Sequence, residues 1–303
     1  MKITVSDFTG SYSRVNGTLD IAVTPGSLFH AAITVGANSY ASALGSSLSS
    51  LAFAFHKVMA LMTVIEFSDG EMILPPEYGA LDQSEKASLG YWIGMAMCKL
   101  AADKILEIPQ LLHVRSLSDQ ISWVKAGSRS APDLVGQDRS NLWHVMEAKA
   151  RQRRPSSKNR KAWKMQAGRV ATISGAPPAT NSYCLTLIQS PYSVELVDPP
   201  AENDQQALSL DISPQAVFRA YYRPFIEFFS QGNEYSAERG RIVYRPAAFD
   251  PMTGLTYEIG IIREILDRFQ RNQIDIPQIF ETSDTDTEYV GSDGIAVRYG
   301  VSM

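Results

Sequence analysis

The stretch from Pro132 to Ala150, PDLVGQDRSNLWHVMEAKA, is two short apolar runs joined by a polar turn. Asp133 opens the first run, and Glu147 and Lys149 interrupt the end of the second. A buried strand excludes unpaired charge, so three charged side chains here demand a reason. Side chains alternate along a strand, which puts Glu147 and Lys149 on one face and Ala148 on the other. The turn GQDRSN lets the two strands pair and brings Asp133 beside them. Two carboxylates within a few ångströms cannot both stay ionised without compensation. A divalent cation supplies it: Asp133, Glu147, the main-chain carbonyl of Ala148 and waters make the all-oxygen, partly hydrated site that Mg²⁺ prefers.

The residues that follow point to a polyanion. From Arg151 to Arg169 the sequence RQRRPSSKNRKAWKMQAGR carries eight bases and no acid. They are Arg151, Arg153, Arg154, Lys158, Arg160, Lys161, Lys164 and Arg169. The chain as a whole is acidic, with 28 bases, 32 acids and a net charge of −4. Removing the eight leaves 20 bases against 32 acids, a net of −12. Charge segregated this sharply creates a local positive field on an otherwise repulsive body. A solvated basic helix face is the bland reading of such a run. Beside a metal site it reads better as the place where a phosphate backbone lies, since Lys and Arg contacts dominate non-specific affinity. Lys149 is then placed to orient or help deprotonate an attacking water and to stabilise charge on the phosphate.

The elements around this stretch can be read outward. A helix is predicted over Gln83 to Leu106, with Asp82 as N-cap, Glu85 completing a capping box, and Leu89, Ile93, Ala96 and Leu100 as its apolar stripe. Pro109 ends it. Strands are predicted at Leu111–Arg115 or Ile121–Lys125, then Asp133–Val135 and Leu142–Ala148. A helix follows over Asn159–Ile173, with Trp163, Ala167 and Val170 inward, and then a buried strand over Ser182–Ser190. The order is α-β-β-β-α-β. Before it stand a strand at Lys2–Val5, a Ser/Gly/Ala-rich stretch and a buried helix at Leu51–Ile65. After it come a polar loop (Asp198–Gln206), a helix from Pro214 to Arg223 ended by Pro224, a helix over Tyr257–Arg271, and a hairpin turning at Asp293-Gly294.

Composition narrows the classes. Apolar residues make up 45% and charged residues 20%, ordinary for a globular chain. Two cysteines, Cys98 and Cys184, make no framework, which points to a reducing compartment and away from structural zinc. His30, His56, His113 and His144 are scattered without metal-ligand spacing, and the last two read as ordinary sheet residues. Trp143 and Trp163 read as core. MKITVSDFTG has no apolar run of a signal peptide, and Leu51–Ile65 is too short and polar to span a bilayer, so a cytoplasmic location without a membrane role is expected. No GxSxG elbow appears, GANSYASALGSS lacks the ending of a phosphate loop, and ETSDTDTE lacks the Gly of a calcium loop.

Pro132-Asp133, thirteen intervening residues and Glu147-Ala148-Lys149 resemble the PD-(D/E)XK nuclease signature. The α-β-β-β-α-β order resembles the core of that superfamily, over roughly residues 82–190. The resemblance implies an α/β, restriction-endonuclease-like core with a mixed central sheet flanked by helices. It also implies a nuclease dependent on Mg²⁺, with Mn²⁺ able to substitute. Asp133, Glu147 and Lys149 would be its central residues. Several branches carry a Gln on the following helix that helps position the attacking water or the substrate, and Gln166 stands at the matching place. Many members add an acid from the first helix, for which Glu85, Asp103 and Glu107 are the candidates.

The expected division is an N-terminal extension (1–80), the nuclease core (81–190) and a C-terminal α+β addition (191–303). DNA is the expected substrate, with RNA also open. The resemblance further implies work in restriction or antiviral defence, beside a helicase or ATPase subunit or as a homo-oligomer. Two other functions compete with this one. One is a non-catalytic nucleic-acid binder that kept the fold. The other is an assembly subunit whose contact surface is AYYRPFIEFF, Ala220–Phe229.

Overall fold

The computed structural model describes residues 1–35, 56–123, 131–198, 208–230, 237–250, 255–271, 273 and 279–301. In chain order the first strands are β1 (Lys2–Ser6) and β2 (Gly17–Asp20), followed by helix α1 (Pro25–Thr34). Residues 56–62 are helical, and a two-stranded hairpin follows, β3 (Glu66–Ser68) and β4 (Glu71–Ile73). Helix α2 spans Gln83–Leu106. Then come β5 (Leu111–His113), β6 (Ile121–Trp123), β7 (Leu134–Gln137), β8 (Trp143–Arg151), helix α3 (Ser157–Ala167), β9 (Val170–Ile173), β10 (Thr180–Leu187) and β11 (Ser193–Val197). The last third holds β12 (Leu208–Leu210), helix α4 (Pro214–Ser230), β13 (Ala237–Arg239), β14 (Ile242–Asp250), β15 (Leu255–Ile262), helix α5 (Arg263–Gln270), β16 (Ser283–Asp284), β17 (Glu288–Val290) and β18 (Ile295–Val301).

A seven-stranded mixed sheet, ordered β2-β1-β11-β10-β8-β7-β5, forms the centre of an α/β architecture. β5, β7 and β8 make an antiparallel meander, and β10 returns parallel to β8. A parallel return needs a crossover, and α3 is that crossover. β8 is buried over its first six residues, as suits a strand paired on both edges and covered on both faces. Strands β1 and β11 join the same sheet, so its pairing runs past residues 80 and 190 in both directions.

Helix α2 crosses one face of this sheet over β8 and β10, and α3 packs on the same two strands. The capping box on α2 forms as the sequence predicts: Asp82 accepts from the Ser84 and Glu85 amides at 2.6 and 2.9 Å, and Glu85 accepts from the Asp82 amide at 2.9 Å. At its far end Glu107 turns left-handed (φ 56°) and releases the chain toward Pro109. Gly94 sets how close α2 comes to the sheet. A Cβ there would lie 3.2 Å from the Lys149 carbonyl carbon and 3.3 Å from Ala150 Cβ. Above α2 sits α1, almost entirely buried, and above that a second, six-stranded antiparallel sheet, β13-β14-β15-β18-β17-β16.

Several elements differ from their prediction, each for a physical reason. The helix predicted over Asn159–Ile173 stops at Ala167, because Gly168 caps it and the β-branched run Val170–Ile173 pairs with β12 instead. Val170 therefore packs from a strand. Tyr257–Ile262 is strand, since Ile259 and Ile261 pair with β14 on one side and β18 on the other; only Arg263–Gln270 is helical. Helix α4 runs through Pro224. A helix-interior proline costs about 3 kcal/mol or more, but Tyr221, Tyr222, Phe225, Phe228 and Phe229 are buried on this helix. Burial is worth ~1.5–3 kcal/mol for each large apolar side chain, so packing wins. The same burial takes the aromatic side chains of Ala220–Phe229 off the surface, leaving Arg223 as its exposed residue. The helix predicted over Leu51–Ile65 ends at residue 62 and is one-sided, with Val58 and Leu61 buried but Met59 and Met62 exposed. Its first turn, GANSYASALGSS and all of Asp198–Gln206 but Asp198 lie outside the described residues. Among the described residues no helix is long and apolar enough to cross a membrane.

Candidate active site

The chemistry-bearing residues meet where β7 begins and β8 ends. Leu134 pairs with Met146, so the meander has run out by Ala148, and Asp133 occupies the space beyond β7. Val135, Trp143 and Val145 share one core cluster, while Leu134, Met146 and Ala148 belong to the cluster under α2. Alternation along the strands then sets Asp133, Glu147 and Lys149 on one face of the sheet.

Their contacts close a small circuit. The Ala148 amide donates to Asp133 Oδ2 at 3.1 Å, and the Asp133 amide donates to Glu147 Oε2 at 3.1 Å. The Lys149 ammonium donates to Glu147 Oε1 and also reaches Gln166 Oε1 at 3.5 Å. The sequence-predicted Asp133, Glu147, Lys149 and Gln166 are thus brought together from β7, β8 and α3. Amide and carbonyl of one strand residue point to the same edge. Because the Ala148 amide faces Asp133, its carbonyl faces the same side, past the end of β7.

Burial gives the site its electrostatics. The Glu147 side chain is 0% exposed and that of Lys149 is 18% exposed. Desolvation, reinforced by the Asp133 charge and opposed by Lys149, pushes the Glu147 carboxyl up to about 8 from 4.5. An acid raised on folding binds its proton more tightly in the folded state. Its contribution to stability is present below about pH 4.5 and is lost as the pH rises through 8. In EDTA, the stability of the protein should therefore fall between pH 5 and 8 by on the order of 1–4 kcal/mol more than that of Glu147→Ala. Denaturant melts across that range check it, and parallel pH profiles for the two proteins would count against it.

The donor set can be tested against a divalent cation. Asp133 and Glu147 hold two carboxylates together in a buried place, and burial with mutual repulsion makes the double charge costly. Among the described residues Asp133 Oδ1 accepts no hydrogen bond, and no group of three or more His, Cys, Asp or Glu side chains converges to hold a metal. Two carboxylates and the Ala148 carbonyl therefore fit a hard cation that keeps waters, and do not fit a closed zinc cage. None of the first-helix acids joins them. Glu85 caps its own helix, Asp103 accepts from Ser292 Oγ, and Glu107 pairs with Arg139 at 3.1 Å.

The basic run divides. Arg151, Arg153, Arg154, Lys158 and Lys161 are exposed around the start of α3. Arg160 is instead engaged, donating to Glu195 at 2.5 Å and to the Tyr183 hydroxyl at 3.3 Å, and Lys164 lies 3.8 Å from Asp7. Arg169 is partly buried at the helix end. Trp163 is buried beneath Arg151, whose guanidinium sits 5.3 Å from the ring centroid, and Trp143 is buried in the sheet.

Sequence reasoning missed two groups. At the opposite end of β8 the Tyr12 hydroxyl donates to Asp138 at 2.5 Å and lies 3.3 Å from His144, whose other ring nitrogen is 2.8 Å from Thr180 Oγ1. Tyr12 and His144 are 132 residues apart, so no local pattern could reveal them. The second group lines a cleft of about 630 Å³ beside the site, including Tyr78, Gln83, Lys86, Tyr91 and Gln152. Beneath the cleft floor the Cys98 and Cys184 thiols are both buried, Cys184 in register with Ala148. Contact with Cys184 and burial push the Cys98 thiol up, which makes it inert.

Comparison with protein-family models, with curated proteins and with solved structures finds no match to this chain.

Proposed function

We propose that this protein is a metal-dependent nuclease that hydrolyses DNA phosphodiester bonds, using Mg²⁺ with Mn²⁺ as a substitute. The observation that carries the reading is the convergence of Asp133, Glu147 and Lys149 on one face, with Gln166 in reach of the lysine. The chain order α2, β5, β7, β8, α3, β10, with β10 parallel to β8, supports a restriction-endonuclease-like core.

Asp133, Glu147 and the Ala148 carbonyl would hold the cation. When bound there, a divalent ion neutralises phosphoryl charge and lowers the pKa of water. Lys149 keeps a cation beside the reacting phosphate, where it stabilises charge developing on the phosphoryl oxygens. Gln166 fixes the lysine through its side-chain oxygen and leaves its amide N–H groups to orient water or phosphate. Arg153, Arg154, Lys158 and Lys161 form the exposed cationic flank that holds the backbone on either side. The setting proposed for this activity is restriction or antiviral defence.

The test is incubation of the protein with linear, circular and single-stranded DNA and with RNA, each with Mg²⁺, Mn²⁺ or EDTA. Cleavage that depends on the metal and stops in EDTA is expected. A protein that binds DNA in a salt-sensitive way but never cuts it would support the non-catalytic binder instead.

A further inference from the structure

The cleft beside the site bears on which form of nucleic acid is bound, an inference that rests on the nuclease reading for its chemistry. One wall is a stripe of α2 running from Gln83 through Lys86, Ala87 and Gly90 to Gly94, and the other is the end of β8 and the residues after it. Asp133 and Lys149 line the same cleft, so it leads to the candidate catalytic groups. Among its described lining residues Lys86, Lys149, Arg151 and Arg153 face a single acid, Asp133. Such walls focus a positive potential along the groove.

The shape selects among polyanions. At Gly94 the helix touches the strand: a Cβ there would sit 3.2 Å from the Lys149 carbonyl carbon, so the groove is closed off at that point. Its volume, about 630 Å³, lies in the about 300–1,000 Å³ range of pockets that take one compact ligand. That suits one or two nucleotides. A duplex carries its phosphates on the outside of a wide, stiff cylinder, which cannot lie along a cleft of this volume against the α2 wall. An unpaired strand is thin and flexible enough to follow the cleft. The walls also suit exposed bases. Tyr91 is 51% exposed on the cleft wall, and aromatic rings stack on any base without regard to sequence.

We propose that this cleft is the path of a single unpaired DNA strand, so that single strands and frayed ends are bound and cut in preference to intact duplex. Ala87 is exposed on the cleft wall and, in the described structure, lies on the helix surface away from the core. Ala87 forms no part of the Asp133–Glu147–Lys149 circuit, so Ala87→Trp is expected to fill the groove while those three residues stay in place.

The experiment uses the full chain and one labelled oligonucleotide, either single-stranded or folded into a blunt hairpin. Binding is read by fluorescence anisotropy in EDTA, and cleavage is read separately in Mg²⁺ and Mn²⁺. The single strand should bind about tenfold or more tighter than the hairpin, and Ala87→Trp should erase that difference while its melting temperature stays unchanged. Lys86→Glu should weaken single-strand binding and flatten its salt dependence. Equal affinity for the two forms, or an Ala87→Trp protein that binds single strands as wild type does, would overturn the cleft assignment while leaving the nuclease reading intact. Strand binding that is lost in Ala87→Trp, without cleavage in either metal, would support the cleft and sink the nuclease reading.

Discussion

Lys149→Ala is expected to lower DNA cleavage by about 10²–10⁴-fold while the protein stays folded. The ammonium bridges Glu147 and Gln166, from β8 to α3. Without it, no group of the described circuit would stabilise charge on the phosphate proposed to lie at Asp133. The fold survives because Glu147 has a way out. Its carboxyl already sits up at about 8, and loss of Lys149 favours the protonated form further, so no unpaired charge is left buried. Lys149→Arg should not restore activity, since the planar guanidinium cannot occupy the position of a compact ammonium. Asp133→Ala and Glu147→Ala should be as inactive as Lys149→Ala, and should lose the cation as well. Cleavage assays beside thermal melts separate these outcomes, and a Lys149→Ala protein that cuts at the wild-type rate would remove lysine from the chemistry.

The largest effect on stability is expected far from that site, at Asp293. This side chain is fully buried, with His30 Nε2 2.9 Å from Oδ1, the Tyr221 hydroxyl 2.5 Å from Oδ2 and the Ile295 amide 3.0 Å from Oδ1. The Tyr222 hydroxyl donates to its carbonyl at 2.5 Å and accepts from Gln110 at 3.0 Å. Gly291 allows the approach, because a Cβ there would fall 2.3 Å from His30 Nε2. The network locks the β17–β18 hairpin to α1 and α4, and so joins the second sheet to the helical layer.

Asp293→Ala leaves buried donors with no acceptor, and should cost about 3–5 kcal/mol. Against a total of about 5–15 kcal/mol that is a large share, readable as a drop in denaturation midpoint. Burial alone would push the Asp293 carboxyl up, but His30, Lys99 and Tyr221 outweigh it and hold it below the usual range. A depressed carboxyl contributes stability above its unfolded value and loses it as the pH falls through the folded one. The penalty of Asp293→Ala should therefore shrink in strong acid. A variant as stable as wild type at neutral pH would show that the network is not what joins the layers.

What the sequence disclosed and what it hid follow from the range of the interactions. The start of α2 was legible because Asp82 and Glu85 cap it within one turn. The β7–β8 pairing was legible because the turn between the strands is short, and with it came the meeting of Asp133, Glu147 and Lys149. Gln166 could be placed because it follows on the next helix. Asp293 shows the opposite case. Read locally, Asp293-Gly294 is a hairpin turn, and the turn is there, but the acid in it is buried against a histidine 263 residues earlier in the chain. In the same way Tyr257–Ile262 satisfies a helical stripe until β14 and β18 pair with it from both sides. Pro224 reads as a stop until the weight of aromatic burial on α4 is counted. Periodicity and caps are local quantities, whereas strand partners and buried acceptors are chosen by the whole fold.

The decisive measurement is manganese binding followed by electron paramagnetic resonance on the intact chain, with Asp133→Ala as its partner. Wild type should take up one ordered ion per chain, and Asp133→Ala should leave the ion free in solution at the same protein concentration. An Asp133→Ala protein that holds manganese as tightly as wild type would contradict the assignment of these carboxylates as the place where a cation meets the phosphate.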